Sequence, residues 1–282
     1  MTVRVITDSM ADLPSEIIKK YNITVIPVNV IFGTETFRDG VDLTTDQFYA
    51  KLISTKAIPT TAVPSIQVFT ATYEKVAKEA DEVLMLAISH KLSATYDTAC
   101  KAAEMVKTKA RIEVIDTMHV IMAEGLIAML AAKAAKEGAK LDAIIKQVRY
   151  NMDRAEEHMV FDTLEYLKRN GRIGAAQAFL GSILKINPVL RLKDGEVYPI
   201  SRERSRAKAI DSLYNFALEY DNIEAIAIED ATTPDEADKL AERVKLKFPN
   251  NTIYRSKVGA VLGAHVGPSI IAMSIIGDRK TK

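Results

Sequence analysis

Short apolar runs of strand length alternate with helix-length stretches along the first half of this chain, and that alternation restricts the fold more than any other feature. The runs fall at residues 3–7, 24–32, 83–88 and 111–116. Between them lie a helix opened by Pro14, a helix capped by Thr44 and Thr45 and running to Ser54, helical patterns at 68–80 and 98–106, and a long Ala- and Met-rich helix ending near Lys136. Strands and helices in this order predict a parallel α/β sheet. In such sheets ligands sit beyond the carboxyl ends of the strands. Residues 7–9, 60–65 and 89–95, all rich in hydroxyls, are therefore expected near one edge.

The stretch 82–99, EVLMLAISHKLSATYDTA, is the most informative of these. An apolar strand runs into a loop holding Ser89, Ser93 and Thr95, and then into a helix. Ser93 stands where an N-cap is expected, so hydroxyls and free backbone N–H groups converge on one small volume that suits an anionic oxygen. The same residues also read as a cap and loop filler with no ligand.

Beyond Gly138 the pattern changes. A helix of mixed charge is expected at 141–156, a strand at 158–163, a short helix at 164–170 stopped by Gly171, and an apolar helix at 175–184. Asp194 and Gly195 sit between two strand-like runs and signal a two-residue hairpin turn. A helix at 203–219, strands at 225–229, 252–257 and 270–276, and a helix at 234–248 complete the chain. A hairpin among crossovers implies a mixed sheet, so a second α/β domain is expected. The boundaries are 1–155 and 156–282.

Charge argues against a polyanionic partner. With 38 basic and 37 acidic residues there is no global field to recruit nucleic acid or an anionic membrane. One cysteine, Cys100, allows no disulfide within the chain and reads as a core thiol. The N-terminus opens on a strand pattern without the apolar region of a secretion signal, and a cytoplasmic location is expected. Residues 258–277 carry no formally charged side chain, but four glycines, a proline and a histidine make a Gly-rich loop before a buried strand the better reading than a membrane span.

The usual catalytic signatures are missing. There is no G-x-x-x-x-G-K-[ST], no dinucleotide glycine fingerprint after the first strand, and no G-x-S-x-G elbow. A hydrolase or transferase of acyl or phosphoryl esters built on Ser93 and His265, with Asp8, is the alternative from another class. Histidines at 90, 119, 158 and 265 lack ligand spacing, and no metal is expected. His265 lies in GAHVG, where small neighbours would let backbone approach a ligand; it also reads as a structural histidine. In LEYLKRNGRIG, residues 164–174, Lys168, Arg169 and Arg172 surround an Asn-Gly turn, which suits an acidic or phosphorylated partner or simply a solvated helix end. SRERSRAKA, residues 201–209, reads as a solvated helix start.

Taken together, ITDSMADLP, PTTAVPS, ISHKLSATYDTA, VIDT, DTLEYLKRNGRIGAAQAFLGSILKINPVL and GAVLGAHVGP occur in the order and spacing of the DegV family of bacterial fatty-acid-binding proteins, which the chain resembles over residues 3–277. The resemblance implies a two-domain α/β protein that holds one long-chain fatty acid, its tail buried and its carboxylate at the domain interface. It also implies a separate fatty acid kinase subunit that supplies the ATP site and makes acyl-phosphate, so that this chain is a carrier without catalysis of its own and without a cofactor. A monomer or weak dimer is expected. By the same resemblance Thr61 and Ser93, with the neighbouring Ala62 and Ala94, hold the carboxylate, His265 lies close by, and Arg169 and Arg172 serve the kinase encounter. The chain departs from the family's common pattern in four places. TTAVPS replaces TTSQPS, so Ala62 removes a hydroxyl; SAT replaces SGT, so Ala94 adds a methyl; Ser269 follows the Gly-Pro pair in place of glycine; and Glu229, Asp230 and Ala231 stand where a His-Gly block is frequent.

Overall fold

A computed structural model describes residues 2–55, 58–180 and 186–281. The elements in chain order are β1 (Val3–Asp8), α1 (Ser15–Tyr21), β2 (Thr24–Ile26), β3 (Asn29–Phe32), β4 (Glu35–Arg38), α2 (Thr45–Ser54), β5 (Thr60–Ala62), α3 (Ile66–Val76), β6 (Glu82–Ala87), α4 (Thr95–Met105), β7 (Arg111–Asp116), α5 (Ile121–Lys136) and α6 (Leu141–Met152). They continue as β8 (Ala155–Val160), α7 (Glu165–Arg169), β9 (Asn187–Lys193), β10 (Glu196–Glu203), α8 (Arg206–Ala217), β11 (Tyr220–Asp230), α9 (Pro234–Lys247), β12 (Ile253–Lys257), α10 (Ala260–Val266) and β13 (Ile271–Arg279).

The α/β class and the two kinds of sheet are as the sequence pattern predicts. Strands β2-β1-β6-β7 form a wholly parallel sheet. Strands β10-β9-β8-β13-β11-β12 form a mixed sheet in which only β11 and β12 run parallel. A small antiparallel sheet, β4-β3-β5, was not anticipated.

That third sheet draws on two stretches whose local chemistry departs from a single regular element. Residues 24–32 are not one strand: β2 joins the parallel sheet and β3 the small one. Pro27 has no N–H to continue the ladder, and the Val28 N–H is taken by the Ser9 hydroxyl at 3.2 Å while its carbonyl accepts from Asp39 N. Within the hydroxyl-rich stretch 60–65, Thr60–Ala62 form β5, which pairs with β3 through Thr61 and Val30.

Other boundaries move for local reasons. Helix α6 stops at Met152 and β8 begins at Ala155, since Glu156 and Glu157 find strand-side partners in Arg191, Arg279, His158 and His119. Strand β10 runs to Glu203, and α8 starts only after Ser205, whose hydroxyl accepts from Lys208 N. The expected helix at 175–184 is a 3-10 turn over Gly174–Phe179, and 181–184 lie outside the described residues. The Gly-rich segment at 258–277 contains α10 as well as β13, and among the described residues no helix is long and apolar enough to cross a membrane. Cys100 is half-buried beside Tyr96 rather than in the core.

Helix α5 positions the site. Its residues 121–132 are all buried, as befits a helix apolar on nearly every face. It packs against β1 and β6 of the parallel sheet on one side and against β8, β11 and β13 of the mixed sheet on the other. Its N-terminal end meets the carboxyl ends of β1 and β6, where a cavity opens.

Candidate functional site

The cavity is walled by apolar side chains from many separate elements. Met10 comes from the turn after β1, Ile88 from the end of β6, Val120 and Ile121 from the start of α5, Met159 and Phe161 from around β8, Leu192 and Val197 from the β9–β10 hairpin, and Val261, Leu262 and Val266 from α10. The cavity has a volume of about 160 Å³. Among the described residues only four polar side chains line it: Thr61, Ser93, Arg172 and His265. Ile121 reaches it from a left-handed backbone (φ 53°), a rare conformation for a β-branched residue, and Met122 next to it donates its N–H to Glu229 Oε1 at 3.1 Å.

The four polar groups arrive by different routes. Strand β5 carries Thr61, and the last turn of α10 carries His265; the Thr61 hydroxyl and His265 Nε2 are 2.9 Å apart. His265 Nδ1 is buried with no hydrogen-bond partner. Burial chiefly, and the nearby Arg172 guanidinium second, push the imidazole down to about 4, so it is neutral at physiological pH. Ser93 lies in the turn before α4 but is not its cap: the helix begins after Ala94, and the Ser93 hydroxyl pairs with Thr95 Oγ1 at 2.8 Å. Arg172 follows α7, and its guanidinium donates to the carbonyls of Leu92 at 3.2 Å and Asn170 at 2.7 Å. No carboxylate pairs with it among the described residues, which leaves its charge uncompensated beside the cavity.

Thus Thr61, Ser93, Ala94 and His265, separated by up to two hundred residues of chain, line one cavity together. Ala62 stands next to Thr61 on β5 and does not line it, as expected where successive strand residues face opposite ways. The two arginines part company: Arg172 lines the cavity, whereas Arg169 lies on the outer side of α7, over half exposed and paired with Glu165 four residues earlier. The apolar lining and the cavity position of Arg172 escaped the sequence reading because those residues are scattered from Met10 to Val266 with no local motif.

The chemistry that this arrangement offers is binding. Nothing links Ser93, His265 and Asp8 into a relay: Ser93 bonds Thr95, His265 bonds Thr61, and the Asp8 carboxylate accepts from the backbone of Met10 and Ile88, each at 3.0 Å. Two hydroxyls, a neutral imidazole and a guanidinium without a carboxylate partner among the described residues, all beside an apolar chamber, fit a ligand with an anionic oxygen head and a long apolar body.

Comparison with known proteins extends over nearly the whole chain. A model of the DegV family, described as an uncharacterised protein family, matches residues 2–278. A DegV domain-containing protein of Streptomyces coelicolor is 34% identical over 277 residues, covering 97% of this chain and 98% of its own. Among solved structures, DegV of Bacillus subtilis, described as a fatty acid binding protein, superposes with a TM-score of 0.90 at 31% identity over 99% of this chain and 100% of that one. A DegV family protein from Thermus thermophilus, described by its fatty acid binding, gives a TM-score of 0.89 at 30% identity over 98% and 100% of the two chains.

Proposed function

This chain belongs to the DegV family, and from that premise we propose that it binds one long-chain fatty acid, tail in the apolar cavity and carboxylate among Thr61, Ser93, Arg172 and His265. The observation that carries the reading is the composition of that cavity: among the described residues its lining is apolar except for four side chains, each able to donate a hydrogen bond to an anionic oxygen. The Bacillus subtilis and Thermus thermophilus relatives, both described as binding fatty acid, support the ligand class.

The magnitudes agree with that division of labour. Burying ~14 methylenes at about 0.8 kcal/mol each supplies roughly 11 kcal/mol before ordering costs, so the tail can provide the affinity while the polar groups set position. Arg172 contributes the charge. His265 needs no proton to serve, since a neutral imidazole still presents one N–H.

The bound carboxylate is offered to a separate fatty acid kinase that supplies ATP and forms the acyl-phosphate; this chain carries and does not catalyse. Absence of the phosphate-cradling G-x-x-x-x-G-K-[ST] motif supports the need for a second subunit. Arg169 is the residue assigned to that encounter, being exposed and away from the cavity lining. Changing Arg169→Ala should slow acyl-phosphate formation with the cognate kinase and leave fatty-acid affinity unaltered. Equal loss of both would place Arg169 in the binding function and refute the docking role.

A further inference from the structure

Away from the lipid cavity the structure buries several carboxyl groups between the parallel and the mixed sheet, and two of them, Asp12 and Glu229, lie on one face of the mixed sheet and act on each other's charge. Glu229, near the carboxyl end of β11, is in register with Ser256 on β12, so the two side chains leave the sheet on the same face. The Ser256 hydroxyl donates to the main-chain carbonyl of Asp12, which puts Asp12 on that face too. Asp12 Oδ1 accepts from Gly259 N at 2.9 Å, and Glu229 Oε1 accepts from Met122 N at 3.1 Å. The second oxygens, Asp12 Oδ2 and Glu229 Oε2, are both buried and have no hydrogen-bond partner. Asp12 is 8% exposed and Glu229 not at all.

Two ionised carboxylate oxygens buried without donors are costly, and one proton between them removes the cost by turning one acid into a donor to the other. We propose that Asp12 and Glu229 share a single proton across the junction of the two sheets, forming a pH-sensitive clasp. The clasp ties the turn that carries Met10 to the start of α5 and to α10, three parts of the lipid-cavity wall.

The surroundings favour one retained proton over none. Asp8 and Asp39 press from the N-terminal side, their carboxylates already occupied by the N–H groups of Met10, Ile88 and Ala260. On α5, Glu124 accepts from Thr7; on β8, Glu157 is paired with His119; on α2, the Tyr49 phenol donates to Val258 O. Arg255 of β12 is a cation acting on Glu229, yet its own partners are Asp230 and Asp238. Burial pushes Glu229 up to about 8 and raises Asp12 well above the ordinary carboxyl range, and the neighbouring charge that acts most on Asp12 is that of Glu229.

The test counts protons. The unfolding constant of the full chain is measured by urea denaturation between about pH 5 and pH 8 for wild type, Asp12→Asn, Glu229→Gln and the double variant. Each proton held by the folded state alone makes that constant rise about tenfold per pH unit. Each single variant should lose one such tenfold increment, and the double variant should lose no more than either single. Slopes parallel to wild type, or a double variant that loses two increments, would overturn the shared proton. Should a variant fail to fold, infrared spectra of wild type with carboxyl-13C glutamate, and separately aspartate, replace it. A carboxylic-acid stretch at neutral pH that both labels shift, as a proton shared between an aspartate and a glutamate requires, supports the clasp; bands that each answer to one label only, or no band, overturn it.

Discussion

Because His265 is buried and its Nδ1 has no partner, the imidazole stays neutral down to about pH 4. A histidine whose folded value lies below the ordinary 6.5 adds stability above that ordinary value and loses it as pH falls from about 6.5 to about 4. An NMR titration of the ligand-free protein should therefore find the His265 midpoint near 4, and Arg172→Ala, which removes the repelling guanidinium, should move it upward. A midpoint at the ordinary value would mean that the ring is solvated. A carboxylate beside the ring acts in the opposite direction to Arg172, so saturating the protein with fatty acid should raise the midpoint. The hydroxyls carry a separate expectation. Ser93→Ala and Thr61→Ala should each weaken fatty-acid binding by about 1.5–3 kcal/mol, the usual worth of a hydrogen bond to a charged group, with the tail still bound. Titration calorimetry measures this directly, and an unchanged affinity in both would remove the head group from this end of the cavity.

Among the elements, α10 shows how glycine can mislead. Gly259, Gly263 and Gly267 made the stretch before the buried strand at 270–276 read as loop, yet Ala260–Val266 is helical. The glycine at 263 serves packing: a Cβ there would stand 2.5 Å from Phe48 Cε1 and 2.6 Å from the Tyr49 hydroxyl. Gly263→Ala should therefore cost about 1–3 kcal/mol of overpacking in urea denaturation and weaken ligand binding by displacing His265. No change in either would show that α2 yields at that contact. Legibility in the sequence followed the range of the forces involved. Thr44 caps α2 through a reciprocal bond with Gln47, and Asp194 and Gly195 turn the β9–β10 hairpin with positive φ at both positions; these are local effects, and both were readable. The separation of β3 from β2, where the Ser9 hydroxyl takes the Val28 N–H, and the pairing of Thr61 with His265 depend on partners far along the chain, and so were not.

For the whole molecule, the alternation of apolar runs was enough to predict a parallel sheet, because burial on both faces of a strand leaves a continuous apolar signature, and the Asp194-Gly195 hairpin signal was enough to predict a mixed one. It could not show the cavity, whose lining residues from Met10 to Val266 become neighbours only once α5 is seated between the sheets. The Thr61, Ser93 and His265 motifs were visible as blocks; their meeting at one cavity is a property of the fold. A ligand that binds only the folded state at a hundredfold excess over its dissociation constant stabilises it by about 2.7 kcal/mol, so occupancy of the cavity has a thermal signature as well as a mass. The most direct test is native mass spectrometry of protein purified from bacteria, followed by organic extraction and thermal denaturation before and after adding back hexadecanoic acid. The account predicts a mass excess of one fatty acid per chain, a fall in Tm on delipidation and its recovery on addition. Protein that carries no lipid, and whose Tm does not move when hexadecanoic acid is supplied, would contradict it.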